Sequence, residues 1–546
     1  MNFDLPPTDT EQPPACVDES TCRAWLATVP LNNIAQAQAM LLRQLTLLTR
    51  FALPVADRFA VLECLRAPLR QVQEAAAKKF VARPLPLAPP EQAALDSTLA
   101  IWQAAVTNYL HCLDGVRWSA RSTAIIIQRA LATLADWQVD LVRSERLPEA
   151  GYWRKVNQLF AAAEVAACAE ETVQDPLRHG ALPVSPLAAY AECQLLHAAS
   201  PYELTPRDLL WVARWARRWG SKIGLLSVPP ADIRQAAHPL WADLDTDRPA
   251  GYVSQPTPQG RWLETTALRA SLTTRLELLA QGQAPGELQL GSDVVQPAAS
   301  QLLTRLLQRW CQGGVRRRHE RQRASGACRL IVGFGAVYFH LSGGRGVRRE
   351  AKGDVVLRAE REKLETFGDV AQRSITRSGI RSLMAEAPVV EHWEVIDDWQ
   401  LLDASANGLR MTRPITEGMR IGAGMLLAVQ REEATEFTLG CARWALRQDA
   451  DRLTIGIQLF PGAARTIAVR LLEHQESAAG RPGFLIAAAA VDAAAVDEPA
   501  SMVLPTGSYR PGARVAIIRP QGAEPATLTR LLDHGSEFER CLYRPD

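Results

Sequence analysis

The chain has 546 residues, a length that predicts three or four domains rather than one. Apolar residues make up 47% and charged residues 22%, values that are ordinary for a soluble globular protein. The net charge of +2 excludes a global field that would draw the protein to nucleic acid or anionic lipid, so any basic function must come from a local cluster.

The first segment, residues 1–20, is expected to be a disordered lead-in. Met1 to Pro14 is acidic and rich in proline, and it lacks the basic start and apolar core of a signal peptide. The longest late apolar run, Phe484 to Val491, is far too short to cross a bilayer. These features predict a cytoplasmic protein with no membrane span.

Residues 21–311 have a helical pattern. Asn32 and Asn33 offer caps before a run whose apolar residues recur at spacings of three and four, and Pro54 starts the next run. The further predicted helices are 91–112, 118–145, 151–171, 186–198, 206–218, 263–281 and 296–311. With no clean repeat period, an all-α bundle or solenoid-like domain fits best.

Three further sequence features are best explained by structure rather than by a binding or catalytic role. The ten cysteines of the chain form no C-x-x-C pair, so we expect buried reduced thiols. Asp243, Asp245 and Asp247 alternate as in a calcium loop, but no glycine at loop position six or closing glutamate follows, so a solvated loop is predicted. The tryptophans at 211, 215 and 219 lie on one helical face, which indicates core packing or a helix–helix interface first and a partner groove second.

After Gly313 and Gly314 the pattern changes to short strands separated by Gly, Asp and Pro. The predicted strands are 329–341, 399–402, 409–412, 425–430, 439–446, 453–459 and 466–472. They predict a small antiparallel barrel at 312–472, interrupted by a charged insertion at 343–392 with a helical piece around 356–366. The β-rich remainder, 473–546, is either a small appended barrel or an extension of the first one.

An arginine cluster stands at the junction of the helical and β regions. Arg316, Arg317, Arg318, Arg321 and Arg323 lie within eight positions. The planar guanidinium fork bonds a phosphate diester or the Hoogsteen edge of guanine in two places. Because almost all the basic residues are arginine, about five R-x-x-x-R matches are expected by chance, and a solvated basic linker is an equal alternative for the cluster alone.

The second motif is a D-x-S-x-x-G turn formed by Asp403, Ser405 and Gly408, with Asn407 inside it and Arg410 just after it. The carboxylate can accept bonds from the N1–H and N2–H edge of guanine, and serine adds a hydroxyl. Glycine lets main-chain N–H groups come close to a ligand. A hairpin turn capped by Asp or Ser is the structural alternative.

Together, the arginine arm, the turn and the strands that follow, including Cys441 to Trp444 and Ile455 to Gln458, resemble the PilZ domain family. The resemblance implies a six-stranded antiparallel barrel with cyclic di-GMP held against its outer face by the arm. It implies Arg317, Arg321, Asp403, Ser405 and Gly408 as ligand-binding residues, with Arg316, Arg318, Arg323, Asn407 and Arg410 as additional ones. The insertion contains rival R-x-x-x-R pairs, 373/377 and 377/381.

The predicted fold class is therefore multidomain α+β: an N-terminal helical domain, a PilZ-like barrel with an insertion, and a small C-terminal β region. No phosphate loop, nucleophile–base pair or metal cluster is found, so we expect no catalytic residues, metal or cofactor. The leading hypothesis is a cyclic di-GMP receptor that couples ligand binding to a partner-binding helical domain. The alternatives are a ligand-free PilZ-like protein–protein adaptor and, less favoured, a single-stranded nucleic-acid binder.

Overall fold

The computed structural model forms two compact units. One consists of Met1–Arg83 and Leu87–Arg318, and the other of Pro84–Pro86 and His319–Asp546. The structure describes residues 3–115, 118–179, 182–228, 240–252, 257, 260–314, 321–343, 396–415, 419–447, 451–460, 462–472, 480–488, 499–519 and 522–546. The predicted insertion, with its helical piece and both rival arginine pairs, falls almost entirely outside these ranges.

The first unit is helical, as the sequence predicts. Its helices are α1 (Glu19–Leu26), α2 (Ile34–Arg50), α3 (Val55–Ala77), α4 (Pro89–Leu113), α5 (Ala120–Arg143), α6 (Tyr152–Val165), α7 (Pro176–His179), α8 (Pro186–Ala198), α9 (Pro206–Trp219), α10 (Thr266–Ala280) and α11 (Ala298–Cys311). Local signals set their starts, since Asn33, Ser119, Ser185 and Thr205 each accept a hydrogen bond from a first-turn backbone N–H.

Short strands within the helical unit were not predicted. They are β1 (Val173–Gln174), β2 (Pro183–Val184), β3 (Gly224–Leu226), β4 (Leu240–Asp243) and β5 (Gly260–Glu264). The first two pair with each other, and β5 pairs with both β3 and β4. The start of the predicted helix at 263 is therefore a strand, and the helix begins at Thr266.

The N-terminal segment differs from the expected disordered lead-in. Phe3 and Cys16 are buried in the core of the helical unit. The Gln44 side chain of α2 accepts a hydrogen bond from the Ala15 backbone N–H at 2.7 Å and donates one to the Cys16 carbonyl at 2.9 Å. Asp18 then caps α1. Burial of two apolar side chains and a buried amide partner fix a segment whose composition alone indicates disorder.

The tryptophan row of α9 is core, which confirms the first interpretation of its spacing. Trp211, Trp215 and Trp219 are fully buried. Trp215 stacks on Trp219 at 5.7 Å between ring centroids, and Trp310 of α11 meets Trp219 edge-on at 6.2 Å. Such aromatic pairs bury large apolar areas with a preferred geometry. The row therefore joins α9 to α11.

The alternating aspartates have structural roles. The Asp247 carboxylate accepts hydrogen bonds from the backbone N–H groups of Gly151 and Arg154, at 2.6 and 2.8 Å. It thus caps the first turn of α6 from a distant loop. Asn157 donates its side-chain N–H groups to the Asp243 carbonyl nearby. Across the described residues, no group of three or more His, Cys, Asp or Glu side chains is placed to hold a metal.

The second unit contains two antiparallel barrels, which confirms the predicted β half. The first is built from β6 (Gln322–Arg323), β7 (Ala327–Val332), β8 (Asp397–Ser405), β9 (Gly408–Pro414), β10 (Leu426–Arg431), β11 (Thr438–Arg447) and β12 (Arg452–Leu459). The strand order is β6-β8-β7-β10-β11-β12-β9, and β9 also pairs with β8. That last pairing closes β7 to β12 into a six-stranded ring, as the PilZ resemblance implies.

The predicted strand 329–341 is wrong in its second half. β7 ends at Val332, Gly333 adopts a positive φ of 98°, and helix α12 (Phe334–Leu341) follows. Phe334 and Val337 of α12 are buried, and Phe334 meets Phe484 edge-on at 5.3 Å. A continuous apolar run does not distinguish a strand from a buried helix. The glycine conformation and burial against a distant strand decide it here.

The second barrel is closed and comprises β13 (Ala464–Leu471), β14 (Arg481–Ile486), β15 (Ser501–Pro505), β16 (Arg514–Arg519), β17 (Gly522–His534) and β18 (Phe538–Pro545), in the order β13-β14-β15-β18-β17-β16. The strand predicted at 466–472 thus pairs with C-terminal strands and not with the first barrel. The C-terminal region is an appended barrel that begins at Ala464. β17 was not predicted, and two register shifts interrupt its pairing with β18.

One hydrophobic cluster spans the two barrels. Leu426 and Cys441 of the first barrel are buried in the same cluster as Phe484, Val503 and Phe538 of the second. Polar contacts reinforce the junction. The Glu537 carboxylate accepts from the Leu426 backbone N–H at 3.0 Å, and the Ser536 N–H donates to the Gly424 carbonyl at 2.8 Å. The second barrel is therefore an integral part of the unit that carries the predicted ligand site.

Candidate ligand-binding site

The end of the arginine arm is held against the first barrel by strand pairing. β6 runs antiparallel to the end of β8, with Gln322 opposite Ala404 and Arg323 opposite Asp403. β7 pairs with the beginning of the same strand, from Ala327 opposite Gln400 onward. Strand pairing therefore places Arg321 and Arg323, the last arginines of the arm, next to the end of β8 that carries the D-x-S-x-x-G motif.

Asp403 is the electrostatic centre of this strand end. Its Oδ1 lies 2.7 Å from Nη1 of Arg321, and its Oδ2 lies 3.7 Å from Nη1 of Arg410. The Asp403 and Arg321 side chains are 17% and 26% exposed, so both remain accessible to a ligand. One carboxylate thus lies between two guanidinium groups that the sequence analysis had assigned to the same site.

The motif itself is a two-residue hairpin turn between β8 and β9. Ser405 lies opposite Gly408, and Ala406 and Asn407 form the turn. The Ser405 hydroxyl donates to the Gly408 carbonyl at 3.4 Å, and the Asn407 carbonyl accepts from the Leu459 N–H at 3.0 Å. The hairpin geometry proposed as the structural alternative is therefore present, and it also supplies the exposed rim that a ligand site needs.

Gly408 is required by close packing rather than by its backbone angles. A Cβ atom at this position would lie 3.2 Å from the Ser405 hydroxyl and 3.3 Å from the Ile457 carbonyl oxygen. The second contact is to the backbone of β12, which cannot rotate away. Glycine therefore lets the turn lie flat against the neighbouring strand.

Arg410 has a donor available for a ligand. It faces Asp403 across the β8–β9 ladder next to a register shift between Leu401 and Asp403. Its Nε atom is buried and has no hydrogen-bond partner among the described residues, although the side chain as a whole is 38% exposed. Buried donors are normally satisfied, so the Nε–H group of Arg410 is a donor that remains for an acceptor from outside the chain.

The structure brings together every predicted site residue that it describes. Arg321, Arg323, Asp403, Ser405, Asn407, Gly408 and Arg410 all lie at the joined ends of β6, β8 and β9. The remaining predicted residues, Arg316, Arg317 and Arg318, lie in the stretch 315–320, outside the described residues, as do the rival arginines of the insertion.

One neighbouring residue was missed. Gln458 of β12 lies opposite Gly408 and accepts a hydrogen bond from Nε of Arg443 at 2.6 Å. Its amide therefore lies beside the turn, held by an arginine from β11. The sequence signal that could have identified Gln458 is its polarity near the end of the apolar strand 453–459, within the segment that resembles the PilZ family.

Comparison with known proteins agrees with this architecture at both ends of the chain. Residues 20–231 match a family described as the N-terminal domain of the cyclic-di-GMP receptor FimW, and residues 467–545 match one described as the FimW C-terminal β-barrel domain. The two matched regions correspond to the helical unit and to the second barrel of this chain. The chain is thus similar to the cyclic-di-GMP receptor FimW in both its helical region and its terminal barrel. The candidate site lies between the two matched regions.

A curated relative is similar over almost the whole length. The protein named Cyclic-di-GMP receptor FimW from Pseudomonas aeruginosa is 22% identical, and the alignment covers 98% of this chain and 92% of the relative. The similarity therefore includes the residues of the first barrel. Within the described parts of the chain, no helix is long and apolar enough to span a bilayer.

Proposed function

We propose that this protein is a cytoplasmic cyclic di-GMP receptor that binds its ligand on the first barrel, at the joined ends of β6, β8 and β9. The observation that carries the proposal is the 2.7 Å ion pair between Arg321 of the arm and Asp403 of the turn. Two motifs separated by 82 residues of sequence meet there. A shared ligand site requires the arginine arm and the turn to lie next to each other. A solvated basic linker does not require this contact.

The chemistry of each group matches one part of the ligand. The Arg321 fork suits a phosphate oxygen pair or the N7 and O6 atoms of guanine. The Asp403 carboxylate suits the N1–H and N2–H donors of guanine. In the ligand-free protein the two side chains neutralise each other. Their ion pair holds both side chains in position before ligand binds. In the bound state, charge-assisted hydrogen bonds from each side chain to the ligand replace this ion pair.

The arm also provides the route to a response. Within the arm, between Arg318 and His319, the chain passes from the helical unit into the second unit. We propose that ligand binding at Arg321 and Asp403 acts on the helical unit through this connection, and that the helical unit binds the protein partner. A ligand can shift such an equilibrium only by its differential affinity for the two states. Contacts made by Arg317 and its neighbours in the bound state would supply that difference.

The direct test is titration calorimetry of the full chain with cyclic di-GMP. We expect saturable heat for the natural protein. Arg321→Ala should weaken binding by about 10- to 100-fold, because it removes hydrogen bonds made by a charged group. Arg530→Ala should leave binding unchanged. Arg530 is an exposed arginine on β17 of the second barrel and serves as the matched control.

Each other outcome contradicts the proposal. Absence of heat, with a partner still retained in a pull-down, identifies the ligand-free adaptor. If Arg321→Ala binds cyclic di-GMP as tightly as the natural protein, the ligand does not bind at the arm and the turn. Filter binding of a single-stranded oligonucleotide at low and moderate salt tests the nucleic-acid alternative, which requires tight binding that weakens with salt.

A further inference from the structure

A cavity opens in the helical unit among α3, α4, α5 and α9, and it is lined by no residue of the candidate cyclic di-GMP site. Its volume is about 210 Å³, whereas a single water needs only about 10–15 Å³ of such space. Trp102, Val139 and Leu210 form an apolar wall, and Arg70 and Arg217 face it from α3 and α9. The cavity therefore combines an apolar surface with cationic groups, as small-molecule sites do.

Among the described residues, Arg70 is the arginine of the cavity that lacks a close ion pair, although the charges of Asp136 and Glu74 act on it. It is half-buried, and its guanidinium donates to the Leu177 carbonyl. Among the described residues no carboxylate lies within 4.0 Å of it, by contrast with the other arginines of the cavity. Burial lowers the pKa of Arg70, and the nearby Arg217 and Arg178 lower it further, against the raising effect of Asp136.

The neighbouring arginines are already shared between two acids. Nη2 of Arg178 lies 3.0 Å from Oδ1 of Asp136, and Nη2 of Arg217 lies 3.3 Å from the same atom. Both arginines also contact Glu192. The larger cavity itself is lined by four arginines, Arg70, Arg143, Arg214 and Arg217, and by three acids, Glu74, Asp136 and Asp140. Its lining therefore carries one more positive than negative charge, in a partly desolvated place where an anion is attracted.

A second unused donor lies in an adjoining space. A smaller cavity of about 40 Å³ shares Arg70, Trp102 and Asp136 with the larger one and is also lined by Arg178. Nε of Arg178 is buried and has no hydrogen-bond partner among the described residues, and the side chain is only 2% exposed. An unsatisfied buried N–H is costly, so this group, like Arg70, is placed for an acceptor that comes from outside the chain.

We propose that this cavity binds a small organic anion, with its carboxylate or phosphate group on Arg70 and Arg217 and its apolar part against Trp102 and Leu210. The guanidinium fork suits either oxyanion. The exposed carboxylate of Glu74 lies at the rim, where it repels an extended polyanion and favours a compact ligand. The site is independent of the cyclic di-GMP proposal, because no residue is common to both.

Thermal unfolding of the full chain tests the site with four named probes. Phenyl phosphate and benzoate carry an apolar ring with each oxyanion, inorganic phosphate lacks the ring, and sodium chloride at matched ionic strength controls for screening. A ligand that binds only the folded state raises the melting temperature in a concentration-dependent way. We expect a larger rise with phenyl phosphate or benzoate than with sodium chloride, and the larger of the two identifies the preferred oxyanion.

The decisive variant is Arg70→Met, which keeps an apolar stem but removes the charge. It should weaken probe binding by about 10- to 100-fold, whereas Arg43→Met, at an exposed arginine of α2, should bind like the natural protein. Arg70→Lys keeps the positive charge but lacks the planar guanidinium fork, so its probe affinity should lie between those of Arg70→Met and the natural protein. A cooperative melting transition of each variant without probe verifies that the chain is folded.

Two results overturn this inference. One is a melting temperature that no ring-bearing anion raises above the sodium chloride control. The other is a rise that persists in Arg70→Met while the variant remains folded. If Arg70→Met fails to fold, the Arg70→Lys comparison decides, because a purely structural arginine would leave probe affinity unchanged in a folded lysine variant.

Discussion

Arg410 lies directly opposite Asp403 across the β8–β9 ladder, with 3.7 Å between Nη1 of the guanidinium and Oδ2 of the carboxylate. The arm residue Arg321 takes the other carboxylate oxygen at 2.7 Å. One acid therefore organises two arginines that come from separate parts of the chain. In the proposed receptor, this arrangement makes Asp403 both a ligand for guanine and the residue that positions two phosphate-binding groups.

Asp403→Asn is expected to weaken cyclic di-GMP binding by about 10-fold or more, because an amide accepts only weakly from the guanine edge and no longer orients the two arginines. The stability of the ligand-free protein should change by less than about 1 kcal/mol, since partly exposed ion pairs contribute little. Calorimetry and urea unfolding measure the two effects. Asp398→Asn, at an exposed position of the same strand, should alter neither, and equal affinities for the two variants would contradict the assigned role.

Gly408→Ala is expected to reduce stability by about 1 kcal/mol and to weaken ligand binding as well. The added methyl would lie 3.3 Å from the Ile457 carbonyl oxygen and 3.2 Å from the Ser405 hydroxyl, so the turn must shift away from β12. Gly286→Ala, at a glycine with open space around it, is the control. Binding and unfolding curves that match the natural protein would show that the turn tolerates a side chain.

Local signals explain what the sequence predicted well. Asn33, Ser119 and Thr205 cap helices that begin within a residue or two of the predicted starts. The hairpin turn at Ala406 and Asn407 was likewise located by its own residues. Caps and turns depend on a few consecutive side chains, so a single sequence is sufficient to find them.

Long-range pairing explains what the sequence missed. The register that sets Arg323 opposite Asp403 depends on strands separated by the insertion. The strand Ala464–Leu471 follows the first barrel without a break but pairs with β14 and β16. Phe334 becomes helical because its ring packs on Phe484. In each case the deciding partner lies far along the chain, where pattern alone does not identify it.

Asp533→Ala is expected to destabilise the second unit by about 2–4 kcal/mol, because it removes a carboxylate that contacts two arginines, one of them buried, at the junction of the two barrels. Asp533 contacts Arg443 of the first barrel at 2.7 Å and the buried Arg540 at 3.4 Å. Asp546→Ala, which removes an exposed pair with Arg514, should cost less than about 1 kcal/mol. Guanidinium chloride unfolding compares them, and equal midpoints would show that the junction pair is dispensable.

The pH dependence of stability should carry a contribution from Asp140. Burial raises its pKa to about 6, although Arg143 and the Trp102 indole N–H act in the opposite direction. Between the unfolded value of about 4 and pH 6, the folded state therefore binds more protons than the unfolded state. The free energy of unfolding should fall by up to about 3 kcal/mol as pH rises through this window.

Asp140→Asn should remove that slope, because an amide does not titrate but still accepts from the Trp102 N–H, now 2.8 Å from the carboxylate. Urea unfolding of both proteins from pH 4 to pH 7 measures the difference. Asp175 is the internal reference: Arg66 and Arg129 lower its pKa to about 2 against the effect of burial, so its stabilisation is lost only as pH falls from about 4 toward 2. Parallel curves for Asp140→Asn and the natural protein above pH 4 would mean that Arg143 keeps the buried carboxylate charged throughout.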